Sequence, residues 1–163
     1  MAWSSKTAEW QTELGDNASQ TGSKLAKDKT SSALKVLFDS SFLFIPFQFN
    51  VDIFEELARV LNRRFEPIVI SPTYSELQTI ARMGSEKTRR QAALALQIAE
   101  KCRRVTVKRK AEESHDDVIV RIASKIACLV ATNDKELRKR LRDRGIAVVY
   151  LRQKTRLAVD GAV

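Results

Sequence analysis

Five short apolar runs alternate with stretches of helical periodicity, and this alternation constrains the fold more than any other feature of the chain. Ala33 to Phe38 (ALKVLF), Pro67 to Ile70 (PIVI), Arg104 to Val107, Ala127 to Ala131 (ACLVA) and Ile146 to Leu151 (IAVVYL) read as buried strands. Between them the apolar positions recur at helical spacing. Asn50 is a cap for a helix over Val51 to Asn62, with Val51, Phe54, Leu57, Ala58 and Leu61 on one face. Ser71 and Pro72 make a cap and first-turn pair for a helix that Gly84 ends. Ser85 caps a further helix to about Glu100, and helices follow over Asp116 to Ile126 and Lys135 to Arg144, the last closed by Gly145. Apolar strands alternating with helices belong to a parallel sheet covered on both faces. Right-handed crossovers reduce the layout to a few doubly wound sheets. The expected fold is α/β, with a single domain over residues 33–156, a five-stranded, mainly parallel sheet and helices on both faces.

The flanks read differently. Residues 1–30 are rich in Ser, Thr, Lys, Asp and Ala, and their lysines balance their acids. They are expected to be a flexible tail, and residues 157–163 a C-terminal tail. No run approaches the roughly 20 apolar residues of a membrane span, and the first residues carry no apolar stretch of signal-peptide length. Cys102 and Cys128 form no Cys-x-x-Cys pair, which disfavours a thiolate zinc site and a disulfide scaffold. A cytoplasmic protein is the expectation. The net charge of +9 and pI near 9.8 favour a polyanionic partner such as RNA. Because residues 1–30 are neutral in sum, the excess belongs to the regular part of the chain.

Ligands of an open parallel sheet bind outside the carboxyl ends of its strands, near the point where the strand order reverses. The residues after each strand therefore matter most. Asp39 with Ser40 and Ser41 follows the first. Glu76 lies in the second turn of the helix after the second. Asp116 and Asp117 start the helix after the third, and Thr132, Asn133 and Asp134 follow the fourth. Any one of these acids is explained as a helix cap or a solvated face. Together they are not, because two unit charges about 4 Å apart repel by roughly 4 kcal/mol at an effective dielectric near 20. Several carboxylates on one rim call for a cation. Oxygen donors select hard cations, Mg²⁺ or Mn²⁺, and beside a basic surface such a site suits phosphodiester hydrolysis.

Leu37-Phe38-Asp39-Ser40-Ser41, Glu76, Asp117 and Thr132-Asn133-Asp134 resemble the four motifs of the PIN-domain nucleases, over about residues 34–156. Within that family, Phe44 to Phe49 with Val51 to Glu56, and Ala131 to Arg138 running on to Tyr150 to Gln153, are similar to archaeal single-domain PIN proteins. Those in turn resemble the PIN nuclease of eukaryotic small-subunit ribosome processing. VapC-type toxins share the domain at a greater distance. The resemblance implies a Mg²⁺- or Mn²⁺-dependent endoribonuclease in ribosomal RNA processing. It implies that Asp39, Glu76, Asp117 and Asp134 are the catalytic, metal-holding acids, with Ser41, Asp116 and Thr132 in support. Ser41 stands where the family commonly has Asn. A toxin ribonuclease and a PIN scaffold that binds RNA or pre-ribosomal particles without cutting are the rival expectations. A phosphorylated receiver domain is discounted, because its third strand should end in Asp, and here Val107, Lys108 and Arg109 stand at that place.

Two basic segments complete the reading. Residues 86–110 carry nine basic residues against two acids, and residues 135–156 again nine against two. Lys135, Arg138, Lys139 and Arg142 fall on one stripe of the last helix, just after Asp134. With Arg152 they are the expected RNA contacts, reading backbone and shape because few aromatics interleave. Ribosomal precursor RNA is the expected partner, with no membrane. Phe44, Ile45, Pro46 and Phe47 are unusually apolar for a loop, and either fold over the core or form a partner surface, a homodimer included. His115, the only histidine, reads as incidental in a polar loop.

Overall fold

The computed structural model describes residues 32–163. The reading of residues 1–30 as a tail lies outside them. Strand β1 is Leu34–Phe38, followed by short helices α1 (Ser40–Leu43) and α2 (Ile45–Phe49) and by α3 (Ile53–Leu61). Then come β2 (Phe65–Ile70), α4 (Ser71–Met83), α5 (Glu86–Glu100), β3 (Arg103–Val105), α6 (His115–Ile126), β4 (Leu129–Ala131), α7 (Lys135–Asp143), β5 (Val148–Arg152) and β6 (Arg156–Asp160). The strand order is β3-β2-β1-β4-β5-β6. The first five strands are parallel and β6 is antiparallel to β5. The sheet is thus the expected doubly wound α/β type, with six strands where five were expected.

The chain winds outward one way through β1, β2 and β3, then returns to β4 and β5 on the other side of β1. The reversal falls between β1 and β4, where Phe38 pairs with Ala131 and the Asp39 amide donates to the Ala131 carbonyl at 3.0 Å. Alternation along β1 divides the core. Val36 and Phe38 point into a cluster with Phe42, Leu57, Leu77 and Ala95, while Leu37 packs with Ile119, Ile122, Leu137 and Leu141 on the opposite face. Among the described residues no helix is long and apolar enough to cross a membrane.

Several local expectations change. Residues 157–160, expected as the start of a tail, belong to β6. Leu157 is buried, its amide donates to Glu56 Oε1 at 2.9 Å, and its carbonyl accepts from Arg59 at 3.0 Å. The cap of α3 is Asp52, whose Oδ1 accepts from the Phe54 and Glu55 amides, whereas Asn50 sits in the left-handed region at the end of α2. Ser71 lies inside the first turn of α4 and uses its hydroxyl to clip the loop after β3, accepting from Val107 N at 2.9 Å and donating to Val107 O at 3.2 Å. The apolar loop at Phe44 to Phe47 is largely helical. Ile45 is fully buried, Phe44 nearly so, and Phe47 packs partly against the same core, so this segment folds over the core.

Candidate active site

The carboxyl ends of β1 and β4 lie side by side, and the residues just past them form one hydrogen-bonded knot. Asp39 is only 4% exposed. Its Oδ2 accepts from the Ser41 hydroxyl at 2.6 Å and from the Thr132 hydroxyl at 2.8 Å. Ser41 Oγ accepts from the Asn133 amide at 2.9 Å, and Thr132 Oγ1 from the Asp134 amide at 3.1 Å. Two small hydroxyls therefore couple one oxygen of a buried carboxylate to the turn that begins α7. Serine at position 41 does this work with one atom that both donates and accepts. Among the described residues Asp39 Oδ1 has no hydrogen bond, and it lies 3.9 Å from His115 Nδ1.

Asp134 is the N-cap of α7, and its Oδ1 accepts from the Glu136 and Leu137 amides. That leaves its second oxygen for the rim. Glu76 reaches in from α4, and its Oε2 is buried without a hydrogen-bond partner among the described residues. His115 Nδ1 stands 3.3 Å from that atom.

The two acids of α6 divide their roles. Ser114 caps the helix in a capping box, donating its amide to Asp117 Oδ2 at 2.9 Å and accepting from the Asp117 amide at 3.1 Å. Arg140 of α7 donates to the other Asp117 oxygen at 2.7 Å. The Ser114 amide, the Arg140 guanidinium and the Ser114 hydroxyl together hold the Asp117 carboxyl down to about 2. Asp116 behaves oppositely. Burial, then the charges of Asp39 and Asp134, push its carboxyl up, against the smaller pull of His115 and Arg140. Asp116 is the acid of this pair that feels the other carboxylates of the rim; Asp117 is spent on the helix start and on α7.

Among the described residues no three Asp, Glu, His or Cys side chains close around a common point. The donors nevertheless fit a divalent cation. Among the described residues, Glu76 has a buried oxygen without a donor, Asp39 has one carboxylate oxygen without a hydrogen bond, and the Asp116 carboxyl is pushed up by burial and then by its acidic neighbours. Beside them opens a cavity of about 560 Å³, lined by Ser75, Glu76 and Thr79 of α4 and by Arg109 and His115.

Sequence reasoning passed over His115. Its ring is largely buried, bridging Thr73 Oγ1 at 2.9 Å through Nε2 and the acids through Nδ1. The available signal was its place immediately before Asp116 and Asp117.

The basic stripe is less free than its sequence suggests. Arg138 and Arg142 both bond Asp160 of β6 at 3.1 Å, and the Arg138 guanidinium also lies 3.5 Å over the Tyr150 ring. These two arginines fasten the edge strand. Lys135, Lys139 and Arg152 are exposed. In the other basic segment, Arg103 pairs with Glu66 and Arg104 covers the Tyr74 ring at 4.4 Å. Lys108, Arg109 and Lys110 are exposed beyond β3. Arg121 steadies that loop from α6, bonding Glu113 at 2.7 and 3.1 Å.

Comparison with known proteins places these features in a group. The PIN like domain family matches residues 36–154. Ribonuclease VapC4 of Methanocaldococcus jannaschii is 29% identical over 129 residues, covering 79% of this chain and 98% of that protein. Ribonuclease VapC9 of Archaeoglobus fulgidus is 27% identical over 122 residues, covering 75% and 86%. Among solved structures, the PIN domain endonuclease Utp24 superposes with a TM-score of 0.64 at 28% identity, covering 79% of this chain and 92% of that one.

Proposed function

Because this chain belongs to the PIN like domain family, we propose that it is a divalent-metal-dependent endoribonuclease whose site is the acidic rim between β1 and β4. The observation that carries the reading is the gathering of Asp39, Glu76, Asp116 and Asp134 at the point where the strand order reverses, beside an open cavity and exposed lysines. Asp116 takes the third acidic place in this proposal, and Asp117 supports it from the capping box. Matches to two ribonucleases and to an endonuclease favour nucleic-acid cleavage over a scaffold that binds without cutting.

Asp39, Glu76, Asp116 and Asp134 would hold Mg²⁺ or Mn²⁺. Bound there, such a cation lends the site Lewis acidity toward a phosphoryl oxygen and toward water. The chain's own residues supply the rest. Ser41 and Thr132 fix the Asp39 carboxylate in one orientation, leaving Oδ1 to the rim. The cap on Asp134 does the same for its free oxygen. Lys135 and Lys139, one and five residues after Asp134, contact the RNA backbone, with Arg152 further along. Lys108, Arg109 and Lys110 approach from the cavity side. A basic surface around an acidic centre draws the strand in and leaves the scissile phosphate over the acids.

The substrate we propose is precursor ribosomal RNA, on the likeness of residues 44–56 and 131–153 to the archaeal group named above. The matches to Ribonuclease VapC4 and VapC9 support a second reading, a toxin ribonuclease restrained by an antitoxin. Purification from native cells separates the two, since a toxin brings a small protein partner and a processing enzyme brings ribosomal precursor. The activity itself is tested by incubating single-stranded and structured RNA with the protein in Mg²⁺, Mn²⁺ or chelator. The proposal expects cleavage with either cation and intact RNA in chelator. Tight RNA binding with no cleavage under any condition would establish the scaffold reading instead.

A further inference from the structure

His115 is the first residue of α6, yet its ring turns inward and is held at both nitrogens. Nε2 lies 2.9 Å from the Thr73 hydroxyl, and Thr73 is itself fully buried in the first turn of α4. Nδ1 stands 3.3 Å from Glu76 Oε2 and 3.9 Å from Asp39 Oδ1. Despite that proximity, Glu76 Oε2 has no hydrogen-bond partner among the described residues. The ring brings a third donor atom toward two carboxylate oxygens that have no assigned hydrogen bond among the described residues.

Two donors that share a cation at bond lengths of about 2.0–2.2 Å stand roughly 3 Å or slightly more apart. The Nδ1 to Oε2 separation is of that size. A ligating histidine also donates its other ring N–H to a fixed acceptor, which sets the tautomer and the ring orientation. Thr73 Oγ1 lies at the distance that role needs; with Nε2 donating to it, the Nδ1 lone pair would be left for the site.

We propose that His115 Nδ1 is a nitrogen ligand of the cation that Asp39 and Glu76 hold, making this a mixed nitrogen and oxygen site that prefers Mn²⁺ and other first-row transition ions to Mg²⁺. The inference rests on the reading of the acidic rim as a cation site and adds a donor to it. Imidazole suits transition ions, whereas a carboxylate set alone suits Mg²⁺ and Ca²⁺ as readily. Thr73 is a positioning residue in this arrangement, acting only through the ring.

His115 is the only histidine of the chain, so histidine labelling of the untagged full-length protein marks this one side chain. Pulsed electron paramagnetic resonance of the Mn²⁺-loaded protein should show nitrogen coupling of a directly bound imidazole. That coupling should change from ¹⁴N to ¹⁵N when only histidine is labelled. By titration, His115→Ala should lower Mn²⁺ affinity about 10-fold or more while changing Mg²⁺ affinity much less. Thr73→Val, a substitution of matching shape, should weaken Mn²⁺ binding about 10-fold, and Thr73→Ser should restore it. Mn²⁺ binding without histidine coupling would overturn the proposal and leave the acidic cation site standing. Equal losses of Mn²⁺ and Mg²⁺ in a folded His115→Ala protein would overturn it too. A parent chain that binds neither cation at millimolar concentration would overturn both this inference and the reading beneath it.

Discussion

Arg140 donates to Asp117 Oδ1 at 2.7 Å, and this contact ties the start of α6 to the middle of α7. It occupies one oxygen of Asp117, while the charges of Asp39 and Asp134 act on its neighbour Asp116.

The two neighbours should respond to neutralisation with opposite signs. Asp117 is held down to about 2, below its ordinary 3.8. Its stabilising contribution is therefore present above pH 3.8 and lost as pH falls toward 2. Asp117→Asn should lower the melting temperature at pH 7, with the deficit shrinking below pH 4. Asp116 is pushed up, so its ionised form costs stability once pH rises through its folded-state value. Asp116→Asn should raise the melting temperature at pH 7 in chelator, with the gain fading in acid. Melting curves of both variants against pH decide the matter, and the same sign for both would refute the division of roles.

The last helix should separate into binding and bracing residues. Replacing Lys135 and Lys139 with alanine should weaken binding to many RNA sequences alike and flatten the salt dependence by about 0.7 per lost phosphate contact on single strands. Replacing Arg138 and Arg142 should act mainly on stability, because both hold Asp160. Affinity measured across a salt series, beside thermal melts, distinguishes them.

How much of this could be read from the sequence depends on how each feature advertises itself. The five parallel strands are apolar runs bounded by helical periodicity, and they are where the sequence puts them to within a few residues. Strand β6 was missed for a physical reason. The turn before it places Gln153 and Lys154 in the left-handed region, at φ 54° and 60°. Glycine or asparagine usually marks such positions, so the hairpin carries no signal. The division between Asp116 and Asp117 was also hidden. Adjacent residues on a helix point about 100° apart, and which one faces the rim depends on Ser114, two residues ahead of the expected helix start. His115 stayed hidden because its partner Thr73 is 42 residues away. Likewise, the stripe on α7 is visible as periodic charge, but Asp160 that neutralises part of it belongs to the strand the sequence did not reveal.

Ala127 ends α6 in the left-handed region at φ 50°, where a β-carbon is strained. Ala127→Gly should relieve this at some cost in chain entropy, for a net gain of about 0.5–1 kcal/mol. That is a rise of a few degrees in melting temperature, with RNA cleavage unchanged. An unchanged or lower melting temperature would mean that the turn is not strained.

If the rim centred on Asp39 cuts RNA through a bound cation, Asp39→Asn should abolish most of that cleavage. The amide keeps the size of the side chain and can still accept from Ser41 and Thr132, but removes one charge from the rim. With Mn²⁺, cleavage of single-stranded and structured RNA should fall by at least about 100-fold, roughly 2.7 kcal/mol of barrier. RNA affinity measured in chelator should hold steady or rise slightly. A folded Asp39→Asn protein that cuts RNA as fast as the parent would contradict the assignment of the site.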